Sequence, residues 1–169
     1  ALSRVTDPRA GEVVHVGTMV LKPVSSVLVF GQLAIALLWG AFIVSNLLFL
    51  PVWLVRWMRG KIPQWGHIRV RLWPLLAGIS VLALVGLFIA GINDPFDRLG
   101  APTAYSVGIL MATLGYAVFT LLGAQCAISA RGSDMNRFAY WHSALGTAVN
   151  MLVLIYLLYF GVIGLMTWS

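Results

Sequence analysis

The side chains that could hold a metal or a haem in this sequence are His15, His67 and His142, with Cys126 as the single thiol. Such a site needs converging ligands. The three histidines stand in three different regions of the chain, so no metal, haem or other cofactor is expected. Cys126 lies in an apolar run with no second cysteine to pair with, and reads as a packing residue. The acids Asp7, Glu12, Asp94, Asp97 and Asp134 all fall outside the long apolar runs. Proton and ion relays usually need a carboxylate inside such a run, so a pump or ion-coupled transporter does not fit. What remains inside the runs are the amides Gln32, Asn46, Gln125 and Asn150, with Ser45 beside Asn46. Four amides could line a substrate groove, but hydrogen bonding between helices explains them more simply. Each such bond within a membrane stabilises by about 0.6 to 2 kcal/mol. The aromatic pairs Trp53/Trp57 and Tyr140/Trp141 could hold a quinone, lipid or pigment; a belt at the membrane–water boundary is the plainer reading.

The strongest charge feature is the stretch from Arg56 to Arg71. Arg56, Arg59, Lys61, Arg69 and Arg71 are five of the eleven basic residues, and no acid interrupts them. Nucleic acid is not the expected partner, because this charge sits between two apolar runs, where membrane topology accounts for it. These residues are expected to set orientation and to meet anionic lipid headgroups.

The elements around these residues follow from composition. The 169-residue chain is 60% hydrophobic and 9% charged, whereas a soluble domain has roughly 25% charged residues. A soluble fold could not hide so much apolar surface, so the solvent must be lipid. The expected fold is all-α: a four-helix transmembrane bundle over residues 26–169, with spans at about 26–55, 73–92, 104–130 and 138–166. Each is long enough for a core of ~30 Å, which needs roughly 20 helical residues. Pro51 should kink the first span or start an interfacial turn. Pro74 should sit in the first turn of the second span, where its missing N–H costs nothing. Gly86 and Ala90, Gly108 and Ala112, and Gly123 and Ala127 are pairs of small residues that permit close approach of helices. Thr103 should cap the third span, and Ser133 or Asp134 the fourth. Residues 1–25 are the least apolar and read as an extracytoplasmic lead-in or as the end of a missing domain, with turns at Asp7-Pro8 and Ala10-Gly11. One strand without a partner is expected over Glu12 to Leu21, stopped by Lys22-Pro23. Because the chain opens on Ala1 rather than Met, a processed product or a piece of a longer protein is expected.

Orientation follows from the loops. Those after the first and third spans hold Arg56, Arg59, Lys61, Arg69, Arg71, Arg131 and Arg137 against Asp134 alone. The other side holds Arg4, Arg9, Lys22 and Arg98 against Asp7, Glu12, Asp94 and Asp97. Basic residues in short loops stay cytoplasmic, so both termini are expected outside.

Three places carry a family resemblance: Arg69-Val70-Arg71-Leu72-Trp73-Pro74-Leu75-Leu76; Asp94-Pro95-Phe96 with Leu99-Gly100; and Asn136-Arg137-Phe138-Ala139-Tyr140-Trp141-His142-Ser143, followed at the end of the chain by Tyr159-Phe160-Gly161-Val162-Ile163-Gly164-Leu165-Met166-Thr167-Trp168. Over roughly residues 50 to 169 the chain resembles the carboxy-terminal membrane region of bacterial serine β-lactamase-like hydrolases, the CubicO group. The resemblance implies a preceding hydrolase domain outside the cytoplasmic membrane. The family's Ser-x-x-Lys nucleophile motif is absent, since Met19 and Met58 stand three residues before the only lysines, Lys22 and Lys61. No Tyr-x-Asn element is present either, so no catalytic residue carries over. The expected role is a non-catalytic membrane module that anchors such a hydrolase or docks it to partner membrane proteins. The alternative is a small accessory subunit of a larger respiratory or photosynthetic complex. Expected partners are membrane lipids and other integral membrane proteins or the missing amino-terminal hydrolase domain, in a bacterial inner membrane.

Overall fold

A computed structural model describes residues 2–7, 11–16, 19–21, 24–62 and 65–167. They divide into two compact units, Ala1–Leu37 and Leu38–Ser169. The first unit holds an antiparallel three-stranded sheet in the order β1 (Leu2–Asp7), β2 (Gly11–Val16), β3 (Met19–Leu21). Leu2 pairs with Val16 and Asp7 with Gly11 across β1 and β2; Val14 pairs with Leu21 across β2 and β3. The single strand expected over 12–21 is therefore two strands, and β1 supplies the partner that the sequence reading lacked. The β-branched Val13, Val14 and Val16 suit an extended strand, and a one-strand element would leave its backbone groups unpaired. Of the turns expected at Asp7-Pro8 and Ala10-Gly11, Asp7 and Gly11 are strand ends and residues 8–10 lie outside the described residues, as do the stop at Lys22-Pro23 and Trp168.

From residue 24 onward the described chain is all-α. The long helices are α1 (Ser26–Met58), α2 (Trp65–Ile92), α4 (Ala104–Ser129) and α5 (Arg137–Tyr159), with a short α3 (Pro95–Leu99) between α2 and α4. All four long helices are long and apolar enough to cross a membrane. The shortest, α5, has 23 residues, about 35 Å at 1.5 Å per residue. In hydrocarbon every backbone N–H and C=O must be satisfied within the protein, and a helix does this inside one segment. The chain is a multi-pass membrane protein.

Several boundaries differ from expectation, for local reasons. The second span begins at Trp65 rather than about residue 73, so Arg69 and Arg71 are helical and Pro74 lies well inside α2. Pro74 removes one backbone donor there, yet it is among the largest fully buried side chains, and α2 runs through it. Likewise α1 runs through Pro51 to Met58. It ends in a Schellman turn: Gly60, at φ 68°, donates its N–H to Trp57 O, and Lys61 N–H reaches Arg56 O at 2.9 Å. Only glycine adopts that left-handed backbone without steric cost. The same motif ends α5 at Tyr159 instead of about residue 166. Gly161 has φ 67°, and its N–H bonds to Leu158 O while that of Val162 bonds to Leu157 O. The following segment folds back, and Gly164 N–H donates to Thr113 Oγ1 on α4 at 3.1 Å. Thr103 caps α4 as expected; Asn136, rather than Ser133 or Asp134, caps α5 by accepting from Ala139 N–H. The loop after α2 is tied by Arg98, whose Nη1 donates to Ala90 O at 2.8 Å and whose guanidinium lies 4.9 Å from the Tyr105 ring centre.

In the second unit the core forms where α2, α4 and α5 meet, around Ala77, Val81, Tyr116, Val153 and Leu154. The polarity is that of a membrane protein: Ser106, Thr113, Thr120, Thr147 and Asn150 are buried, while leucines, valines and phenylalanines cover the outside. Lipid offers no hydrophobic reward for burying leucine, so small and hydrogen-bonding residues fill the helix interfaces. Thr113 and Thr147 donate to carbonyls of their own helices, Leu110 O and Ser143 O. Gly108 lies against Leu87 of α2, and Gly123 against Trp73 and Thr147, with Ala112 and Ala127 buried beside them. Gly86 is the exception: a Cβ there would meet nothing within 4 Å.

Candidate functional site

The second half of α1 presents one face to α4 and α5. Trp39, Phe42, Asn46, Phe49, Trp53 and Arg56 follow one another at alternating steps of three and four, which places them along one side of a helix. At Trp39 that side makes a polar clasp. Trp39 Nε1 donates to Asn150 Oδ1 at 2.9 Å, and Tyr116 Oη of α4 donates to Asn150 O at 2.9 Å. The Trp39 and Tyr116 rings meet edge-on at 6.3 Å. One turn and a half further on, Ser45 Oγ and His142 Nε2 are 2.7 Å apart. Phe42, Phe49 and Phe138 surround the imidazole, with centroids 5.6, 5.4 and 6.3 Å away.

Beyond His142 the helices open into a cavity of about 590 Å³. Its basic wall is Arg56, Lys61 and Arg71, joined by His67 and His142, with Asp134 as its one acid among the described residues. Local structure explains the convergence. The Schellman turn at Gly60 folds Lys61 back onto Arg56, and the early start of α2 carries His67 and Arg71 on a helix instead of a loop. Asn46, Phe49, Val52, Trp53 and Phe138 form the apolar flank with one amide. Among the described residues, Arg56, Lys61 and Arg71 have no side-chain hydrogen bond or ion pair, and His67 Nε2 is buried without a partner.

Of the topology-setting residues, Arg56, Lys61 and Arg71 thus share one cavity. Arg59 is exposed outside it, and Arg69 lines a smaller one of about 290 Å³ with Gln125 and Cys126. Of the four amides, Asn150 is buried and accepts from Trp39 of α1. Asn46 is buried at the α1–α5 contact, where its Nδ2 would stand 3.8 Å from a Cβ at Gly146. Gln32 and Gln125 are exposed, and their amides make no hydrogen bond among the described residues. His67 and His142, separate in sequence, line the same cavity. The sequence signal for this was the three-and-four stripe of α1, which is hard to pick out because the rest of α1 is apolar too.

Chemically, the site is a cationic, aromatic-flanked opening. Among the described residues no group of three or more His, Cys, Asp or Glu could hold a metal ion. The Ser45–His142 pair has the form of a nucleophile and base, but no hydrogen bond orients the other ring nitrogen among the described residues. The pair ties α1 to α5. Compared with models of protein families, with curated proteins and with solved structures, the chain gives no match.

Proposed function

We propose that this chain is a non-catalytic module of a bacterial cytoplasmic membrane, with both ends outside, that anchors a serine β-lactamase-like hydrolase domain. The observation that carries the reading is how the intramembrane polar groups are used. Trp39, Tyr116, Asn150, Ser45 and His142 bond one helix to another, as a scaffold requires. The resemblance at residues 69–76, 94–100, 136–143 and 159–168 supports the hydrolase, and the seven basic residues after the first and third spans support the orientation.

The test uses the native polypeptide, recovered from its host through a carboxy-terminal tag and treated with a serine-reactive fluorescent probe. A labelled band well above 18.4 kDa is expected. An unlabelled band at 18.4 kDa overturns the anchor role. It would favour an accessory subunit, for which the exposed Gln32 amide of α1 speaks, since a lone amide facing hydrocarbon gains by meeting a partner helix. Orientation is tested in a Cys126→Ala background with an impermeant maleimide. Gly100→Cys should react in intact cells and Lys61→Cys should not; the opposite pattern refutes the topology.

A further inference from the structure

We infer that the open basic cavity at the α1–α2 turn is a headgroup site for an anionic phospholipid. Three cations, Arg56, Lys61 and Arg71, face one space with Asp134 as the only carboxylate among the described residues of its lining. No side chain among the described residues neutralises them. An opening that gathers three cations against one carboxylate is completed by an anion. His67 adds a second, independent mark. It lines the same cavity, its Nε2 is buried with no partner among the described residues, and a buried polar nitrogen without a partner calls for one.

The flanks decide which anion. A soluble phosphate compound needs no hydrocarbon contact, yet the walls include Phe49, Val52 and Phe138, which are 44%, 53% and 70% exposed. These residues lie on the membrane-spanning helices α1 and α5, at the ends nearest the basic turn. A phosphodiester headgroup among the cations would therefore leave its acyl chains against Phe49 and Phe138. Trp53, in the same lining, suits the glycerol level, where an indole keeps its ring in lipid and its N–H toward water.

The test is native mass spectrometry of the full chain in detergent, titrated with phosphatidylglycerol or phosphatidylcholine. Each cation near an anionic headgroup contributes about fivefold, so three cations against one acid should favour phosphatidylglycerol about 30-fold. Arg56→Gln with Arg71→Gln should abolish that preference. Arg59→Gln with Arg131→Gln, on exposed residues outside the cavity, should leave it within about threefold. Arg56→Lys with Arg71→Lys should keep most of it, which separates lost charge from lost folding. Equal binding of the two lipids by the unaltered chain overturns the inference, as does an equal loss in both glutamine pairs. Displacement of phosphatidylglycerol by millimolar inorganic phosphate would assign the cavity to a soluble phosphate compound and also overturn it.

Discussion

Replacing Asn150 with Leu should destabilise the membrane domain far more than the same change at Gln32 or Gln125, although all three are amides in apolar helices. Asn150 is 3% exposed. Its Oδ1 accepts from Trp39 Nε1 at 2.9 Å and lies 3.5 Å from Tyr116 Oη, whose main bond runs to the Asn150 backbone carbonyl. Leucine keeps the backbone bond and removes the acceptor for the indole. The Trp39 donor is then part-buried with nothing to meet, and the cost should be about 1 to 2 kcal/mol. In a double-mutant cycle with Trp39→Phe the coupling energy should be about 0.6 to 1.7 kcal/mol, the range for hydrogen bonds between helices in a membrane. Gln32→Leu and Gln125→Leu remove amides without a bonded partner and should stay within about 0.5 kcal/mol. The assay is reversible unfolding of the purified chain in mixed micelles at rising dodecyl sulfate fraction, followed by far-ultraviolet circular dichroism. A coupling near zero, or a Gln32→Leu cost matching that of Asn150→Leu, would refute the assignment of Asn150 as the clasp.

Three further outcomes can be read by the same assay. Gly161→Ala should cost about 1 to 2 kcal/mol, because φ 67° forces an L-residue into the left-handed region, whereas Gly31→Ala, with open space around the new methyl, should cost nothing. Gly108→Leu should weaken the α2–α4 contact by about 1 to 3 kcal/mol, since even a Cβ would stand 2.8 Å from Leu87 Cδ1. Arg98→Met should lose both the bond to Ala90 O and the stacking on Tyr105, about 1 to 2 kcal/mol together, with faster proteolysis of the 93–103 loop.

The membrane-spanning helices are legible in the sequence because lipid imposes a coarse rule: enough apolar residues in a row, and helix follows. Their ends are less legible because they depend on single backbone conformations. Gly60 and Gly161 each mark the end of a helix, yet glycine also occurs freely inside these spans, as Gly31, Gly40 and Gly86 do. Only the dihedral angle separates the two uses. The start of α2 was hidden for another reason. Arg69 and Arg71 look like loop residues beside Pro63 and Pro74, but long basic side chains can stay on a helix and reach to the headgroup level, so the helix begins eight residues earlier than hydropathy indicates. The sheet was half visible: the β-forming residues of β2 and β3 stand out, while the partner Leu2–Asp7 contains Arg4 and Asp7 and reads as polar lead-in.

The cavity is the feature that sequence position conceals most. Arg56, Lys61 and Arg71 look like a diffuse positive stretch whose whole explanation is orientation, and orientation requires only charge, in any arrangement. The fold gives them an arrangement. Arg56 closes the stripe that begins at Trp39, Lys61 is turned back by Gly60, and Arg71 rides on the extended α2, so three cations with separate local causes meet at one opening. Arg59 and Arg69, equally basic and equally close in sequence, stand outside it. A topology signal alone would treat all five alike. The separation into two sets by backbone geometry is therefore the physical ground for expecting a bound anion as well as a direction of insertion, and it is why charge-matched substitutions at 56 and 71 against 59 and 131 distinguish the two.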